Sequence, residues 1–275
     1  MELGDYIHYP PVDARLGQLD GFVEEESLAS PIDMFRRTML SVLQCGTEDA
    51  LASSPVLGRS LALAIVSAAE GYFRAVISSC VELCPISQKC AADQSIGLGG
   101  LLWHGKQGYS RGALENSSLA SKRELTKASK NFLGFDLNDD VFKVPLDQFD
   151  TVCHLRHGLV HADGILPGKN AVAINMPRYS NAVRIRIGYR QLQEIASVTN
   201  TLVLTFNRNL FIEMCQRWAV KWRQRVDWDA ENEQNSFKKI WIIFLSEDQR
   251  QIRRGRKSIT WKNCMNDVKL LYSIP

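Results

Sequence analysis

Four side chains suited to acid–base work or anion binding crowd one short stretch: His154, Arg156, His157 and His161. They lie within Asp147-Gln-Phe-Asp-Thr-Val-Cys-His-Leu-Arg-His-Gly-Leu-Val-His-Ala-Asp-Gly164, where Phe149, Val152, Cys153, Leu155, Leu159 and Val160 recur at helical spacing and Gly164 is a natural stop. At about 100° per residue, Asp150, His154, His157 and His161 share one face, and the apolar residues cover the opposite arc. Arg156 falls inside that apolar arc, so its guanidinium needs a partner or a ligand. RNA cleavage without a metal asks for a base to take the 2′-hydroxyl proton, an acid for the leaving 5′-oxygen and a cation on the phosphorane. Histidine suits the first two roles because its unperturbed pKa is about 6.5. Arginine suits the third because its planar fork matches phosphate oxygens.

Other chemistries compete for these residues. His154, His157 and His161, with Asp150 on the same face, resemble half of a zinc or iron site. Such a stripe needs ligands from a second element, and no His-Glu-x-x-His or paired carboxylate motif supplies them. Cys80-x3-Cys84-x5-Cys90 with His104 is not a familiar zinc spacing. No metal ion or other cofactor is therefore called for, and His154 reads as a satisfied core histidine. Elsewhere, Gly100-Leu-Leu-Trp-His-Gly105-Lys106 is one residue short of a phosphate-binding loop, because Gln107 replaces the magnesium-binding hydroxyl and no buried strand precedes it. Gly108-Tyr-Ser110-Arg-Gly112 matches a nucleophile elbow but lacks the alternating strands and helices that motif requires. A flexible glycine-rich loop over 93–112 is the reading of both.

The elements that must position the central stretch are mostly helical. Ile32 to Leu43 carries Met34, Phe35, Met39, Leu40 and Leu43 on one side. Leu57 to Leu83 is apolar nearly all round, ends at Cys84-Pro85 and belongs at the centre of a bundle. Glu70 interrupts it and either holds Arg74 one turn on or takes part in the site. Residues 113–133 read as a helix with a basic face of Lys122, Arg123, Lys127 and Lys130, stopped by Gly134. Ala171–Asn175 and Ala182–Ile187 alternate like the strands of a β-hairpin with Arg184 and Arg186 outward. A long helix spans about Arg190 to Trp222, and Lys239–Leu245 is strand-like. Residues 1–31 read as an arm packing on the main body. The tail adds the basic run Arg250-Gln-Ile-Arg253-Arg254-Gly-Arg256-Lys257 near several tryptophans, a mixture that suits RNA through phosphate pairing and base stacking, or else a solvated charged segment with core tryptophans.

With 275 residues, 45% hydrophobic and 23% charged, the chain can bury a sizeable core, and a net charge of +3 alone demands no nucleic acid. Seven scattered cysteines and no apparent leader imply reduced thiols and a soluble, cytoplasmic protein with no membrane partner.

Arg156-His-Gly-Leu-Val-His161-Ala resembles the Arg-x4-6-His motif of HEPN-domain proteins, and Ala62-Leu-Ala-Ile-Val-Ser-Ala-Ala-Glu70-Gly-Tyr72-Phe-Arg74 resembles the second signature of their small prokaryotic branch. The resemblance implies a metal-independent endoribonuclease that leaves 2′,3′-cyclic phosphate and 5′-hydroxyl ends. His161 would be the acid–base group and Arg156 the phosphate clamp, with His157 where the family commonly has asparagine, and Glu70 in support. Arg74, Lys122, Arg123, Arg184, Arg186, Arg253, Arg254 and Arg256 would contact RNA. Five residues on a regular helix separate Arg156 from His161 by about 140°. They converge only if the helix loosens at Gly158 or a second protomer supplies half the site. The resemblance favours the second answer, a homodimer with a composite cleft. It also implies a toxin or abortive-infection defence role with an antitoxin or defence-complex partner. A non-catalytic HEPN module binding RNA, nucleotide or a partner protein is the alternative. The expected fold is all-α: a HEPN-like bundle over 57–222 with a β-hairpin insertion, an arm and short helix over 1–56, and a basic C-terminal extension over 223–275.

Overall fold

Ser30, Thr47 and Ser54 each accept a hydrogen bond from the backbone N–H three residues ahead, at 3.3 Å in all three cases. Side-chain caps of this kind satisfy N–H groups that a helix leaves orphaned, and Pro31 and Pro55 fill first-turn positions that need no donor. Three helices follow: α1 (Pro31–Cys45), α2 (Glu48–Ser53) and α3 (Pro55–Leu83). In this computed structural model residues 3–6, 15–25, 29–106, 108–247 and 260–274 are described. The chain continues through α4 (Pro85–Cys90), α5 (Leu98–His104), α6 (Tyr109–Leu114) and α7 (Lys122–Ala128), which widens into a π turn over Ser129–Leu133. Then come α8 (Asp140–His161), α9 (Gly168–Ala173), and α10 (Tyr189–Gln216) with a π turn over Arg217–Trp222. The last are α11 (Glu233–Phe244) and α12 (Trp261–Leu271). The described residues are mostly helical and form no named strand, as an all-α chain requires.

The α3 helix is the hub, packed against α1, α8, α10 and α11. Its Phe73 is fully buried and meets Phe149 of α8 at 6.2 Å and Phe206 of α10 at 5.3 Å, both edge-on. Edge-to-face pairs add to the roughly 1.5–3 kcal/mol that burying such a ring contributes. Tyr72 donates to Asn207 Oδ1 (3.0 Å), and Asn207 Nδ2 donates to the Phe244 carbonyl (3.1 Å), which ties α3, α10 and α11 together. By length and composition α3 is the one helix among the described residues that passes for a membrane span, yet Ile65, Val66, Ala69, Phe73 and Val76 are buried in this core. The core runs without a break from Ile32 of α1 to Val268 of α12, so residues beyond 223 contribute Phe237, Ile240, Phe244 and Met265 to it.

Several expectations need correction. There is no β-hairpin at 171–187: Ala171–Ala173 belong to α9, and Ala182–Ile187 makes a single antiparallel bridge, Arg184 with Ile165. Alanines favour helix over strand, and Asn170 at the first turn of α9 is held by a side chain of α8. The alternation itself was physically meaningful, since Ile185 and Ile187 are buried while Arg184 and Arg186 are exposed. Lys239–Leu245 is helix rather than strand, because Phe237, Ile240, Trp241 and Phe244 are buried at helical spacing. The glycine-rich 93–112 segment forms α5 and α6. Ser110 is 1% exposed and donates to Glu82 at 2.5 Å, which leaves no free nucleophile. The 113–133 helix is broken between α6 and α7, and Gly134 stops it with φ +61. Residues 15–25 of the N-terminal arm are exposed throughout.

Candidate functional site

The central stretch lies at the C-terminal end of α8, and that helix changes its buried side partway along. Phe142, Leu146, Phe149, Val152 and Cys153 are buried against the bundle. Gly158, also buried, lies nine residues beyond Phe149, which at about 100° per residue is half a turn away. There the returning chain presses on the helix: a Cβ at Gly158 would stand 2.8 Å from Ile185 Cδ1 and 2.9 Å from the Ile165 carbonyl oxygen. Gly158 also accepts the closing hydrogen bonds from Ala162 (3.2 Å) and Gly164 (3.0 Å). Gly164 adopts φ +80, the left-handed region glycine tolerates, so the chain can reverse there. Asp163, also left-handed, offers its carbonyl to Arg59 and Arg184 and its carboxylate to both guanidinium groups.

Beyond that change of face His157 and His161 stand exposed, with ring centroids 4.7 Å apart and planes tilted by 51°. What burial His157 has disfavours its charged form, and His161, Arg156, Lys169 and His154 add positive charge nearby, so its pKa lies below the ordinary histidine value. His157 is therefore held as a neutral base near pH 7.

Arg156 turns the other way. Its Nη2 lies 3.7 Å from Glu70 Oε2 on α3, with the two side chains 28% and 14% exposed. Glu70 Oε1 meanwhile accepts from the Leu119 N–H at 3.2 Å. The pairing of Glu70 with Arg74 one turn on does not form. Arg74 instead donates to the carbonyls of Leu114 (3.4 Å) and Ser117 (3.0 Å), a structural use that leaves it poorly placed for RNA. Glu70 is thus a carboxylate that orients Arg156 and the 119 backbone, and its geometry is that of a positioning group. Cys153, on the same side of α8, has its thiol pushed far up by burial and then by the Asp150 and Glu70 carboxylates, so it stays protonated.

His154 is half-buried and engaged by α9, not a buried core histidine as expected. Asn170 Nδ2 lies 3.0 Å from its Nδ1 and also donates to its carbonyl (3.3 Å). An amide nitrogen only donates, so Nδ1 accepts and the ring proton sits on Nε2, which faces Asp150 Oδ2 at 3.7 Å. Asp150 Oδ1 accepts from the Lys122 N–H at 2.8 Å. The three histidines of the stripe therefore divide into one structural ring and one exposed pair. Among the described residues no three His, Cys, Asp or Glu side chains are grouped as a metal-ligand set.

The expected RNA contacts are scattered. Lys122 is tied to α8 by its Nζ on Asp147 (2.5 Å), and Arg123 is exposed and pairs with Glu124 (3.0 Å). Arg184 is tied to Asp163, whereas Arg186 is exposed. Arg253, Arg254 and Arg256 lie outside the described residues. Of the tryptophans offered with them for stacking, Trp218, Trp222 and Trp241 are buried and Trp228 and Trp261 half-buried, and Arg223 lies over the rings of Trp218 (4.9 Å) and Trp228 (5.0 Å). Asn170, Lys169 and Asp163 were missed as neighbours of the site, because only the reversal at Gly164 brings them beside α8. All seven cysteines are free. No family model, curated protein or solved structure matches this chain.

Proposed function

We propose that this chain is a HEPN-like, metal-independent endoribonuclease working from the exposed end of α8. The observation that carries the reading is the His157–His161 pair, two solvent-facing imidazoles with ring centroids 4.7 Å apart. His157, held neutral, takes the 2′-hydroxyl proton; the 2′-oxygen attacks phosphorus, and His161 protonates the departing 5′-oxygen. One product end is a 2′,3′-cyclic phosphate and the other a 5′-hydroxyl, so protons and bonds balance without water. Arg156 steadies the phosphorane.

Within one protomer Arg156 faces Glu70 on α3 and His161 faces His157, so the clamp and the acid belong together only across two copies related by a two-fold axis. A mixing experiment tests this directly. Arg156→Ala and His161→Ala homodimers are each inactive on RNA. In an equal mixture that exchanges subunits, half the dimers are mixed and each mixed dimer has one intact composite site, so about a quarter of the parent activity returns. No recovery refutes the composite site, and cleavage by the His161→Ala homodimer refutes the assignment of the acid. Cleavage is expected to persist in a chelator. In cells the proposed role is a toxin or abortive-infection effector restrained by an antitoxin or defence-complex partner, with growth arrest that both substitutions relieve. The Glu70–Arg156 ion pair favours a second reading, a non-catalytic module that binds RNA, nucleotide or protein, because an arginine already neutralised is a weaker clamp.

A further inference from the structure

A polar cavity lies away from the histidine pair, where α7 and its π turn face the Gln94–Gly97 segment and the end of α6. Its volume is about 320 Å³, at the small end of ligand pockets. Gln94 and Asn131, both half-buried, and exposed Asn116 line it, with no protein partner for their side-chain amides among the described residues; Glu124 also lines it, its carboxylate paired with Arg123 at 3.0 Å. Asn116 Nδ2 stands 3.6 Å from where a Cβ on Gly97 would be, so the amide lies against the chain that forms the rim. Asn131 and Phe132 belong to the π turn, whose extra residue widens the helix at this point, and such turns are frequent at functional sites. Ile96, Ala113, Ala128 and the mostly buried Phe132 supply an apolar wall, and exposed Lys127 stands at the mouth.

Three amides facing an apolar wall, with Lys127 at the edge unpaired among the described residues and Glu124 already neutralised by Arg123, match a particular ligand chemistry. Asparagine and glutamine pair a donor with an acceptor, the pattern a base edge presents. An apolar wall takes the base face, and a lysine takes the phosphate. The volume accommodates one nucleoside and excludes a duplex. We propose that this cavity is a nucleotide pocket that receives one unpaired base and its phosphate.

The pocket is joined to the α8 face by α7 itself. Lys122, at the start of that helix, is bonded to Asp150 and Asp147 of α8. Lys127 follows five residues later, about 7–8 Å along the helix axis. That the base belongs to a single-stranded RNA rests on the ribonuclease reading; the pocket itself does not. A free mononucleotide presents the same chemistry.

The test uses the full chain carrying His161→Ala, so that RNA stays intact. It is titrated with the four nucleoside 5′-monophosphates and with short single-stranded homopolymers of each base. Two further substitutions are made separately in that background. Asn116→Ala removes one amide, and Ser95→Trp fills the mouth from an exposed position without touching the core. Each is expected to weaken binding by about tenfold or more. Loss seen with monophosphates and RNA alike supports a pocket that free nucleotides also fill. Loss confined to RNA supports a base of the substrate. Unchanged affinity for both ligands in both variants overturns the pocket, and normal RNA cleavage by the same variants with His161 restored then shows that the ribonuclease reading survives it. Monophosphate binding that the variants weaken, in a chain that cleaves no RNA, retains the pocket and removes the ribonuclease.

Discussion

Replacing Glu70 by glutamine separates the two things that carboxylate can do at the site. The amide keeps an oxygen for the Leu119 N–H, now 3.2 Å from Oε1, but removes the charge 3.7 Å from Arg156 Nη2. Two unit charges at that separation attract by about 4–5 kcal/mol at an effective dielectric near 20. Both groups keep some contact with water, at 14% and 28% exposure, so screening and desolvation bring the net value to about 1–2 kcal/mol. That lies between an exposed pair and a buried one. Glu70→Gln is expected to lower stability by this amount, and Glu70→Ala by about 1 kcal/mol more because the buried Leu119 N–H also loses its acceptor. Urea unfolding of Glu70→Gln, Arg156→Gln and the double variant forms a cycle whose coupling energy is expected at about 1–2 kcal/mol. RNA cleavage by Glu70→Gln is expected to fall about tenfold as Arg156 loses its orientation, in contrast to the full loss in His161→Ala. A coupling energy under about 0.3 kcal/mol refutes the pair. Cleavage abolished in Glu70→Gln while the fold is intact refutes the positioning role and makes Glu70 a proton-transfer group.

Three further outcomes follow from the same geometry. Gly158→Ala pushes a methyl against the Ile165 carbonyl at 2.9 Å, and is expected to cost about 2–3 kcal/mol by urea unfolding; a loss under about 0.5 kcal/mol refutes the close approach. As a base, His157 works when neutral, so the rate falls as pH drops through its folded pKa, which lies below the usual value of about 6.5. The acid limb of the pH–rate profile is therefore expected below that pH, and Lys169→Gln, which removes a positive neighbour, should move it upward; a limb unmoved by Lys169→Gln refutes the electrostatic cause. Asn170→Ala frees His154 Nδ1 and its carbonyl, and thermal unfolding should drop by about 2–4 °C; an unchanged midpoint refutes the pin between α8 and α9.

The long helices were legible because their signals are local. Cys84-Pro85 closes α3 as expected, and apolar spacing picked out the buried Phe149, Val152 and Cys153 of α8, while Val160, assigned to the same arc, is exposed. The histidine face and the isolated position of Arg156 followed from the same geometry. What failed had non-local causes. Ala171-Val-Ala read as strand by alternation, but the Asn170–His154 bond and alanine's preference make it helix. The Lys239–Leu245 run has strand composition, and only the positions of Phe237, Ile240, Trp241 and Phe244 together reveal the helical period. Glu70 read either as the partner of Arg74, one turn on, or as part of the site. Its true partner, Arg156, is on another helix, and no local pattern joins the two.

The change of buried face in α8 explains why chemistry-bearing residues collect at its end. A straight helix that buried the Phe149 arc along its whole length would point Gly158 at solvent and give the reversing chain nothing to rest on. Glycine at 158 lets Ile165, Pro167 and Ile185 approach on the side opposite Phe149. Residues between the two buried arcs are then neither core nor fully solvated. Arg156 leans to Glu70, while His157 and His161 are left together at the surface. In a single copy, then, the arginine is engaged by Glu70 and the histidine pair faces solvent. Under the composite site proposed above, the guanidinium that meets the histidine pair comes from a second copy, and the two-fold contact is then part of the site itself.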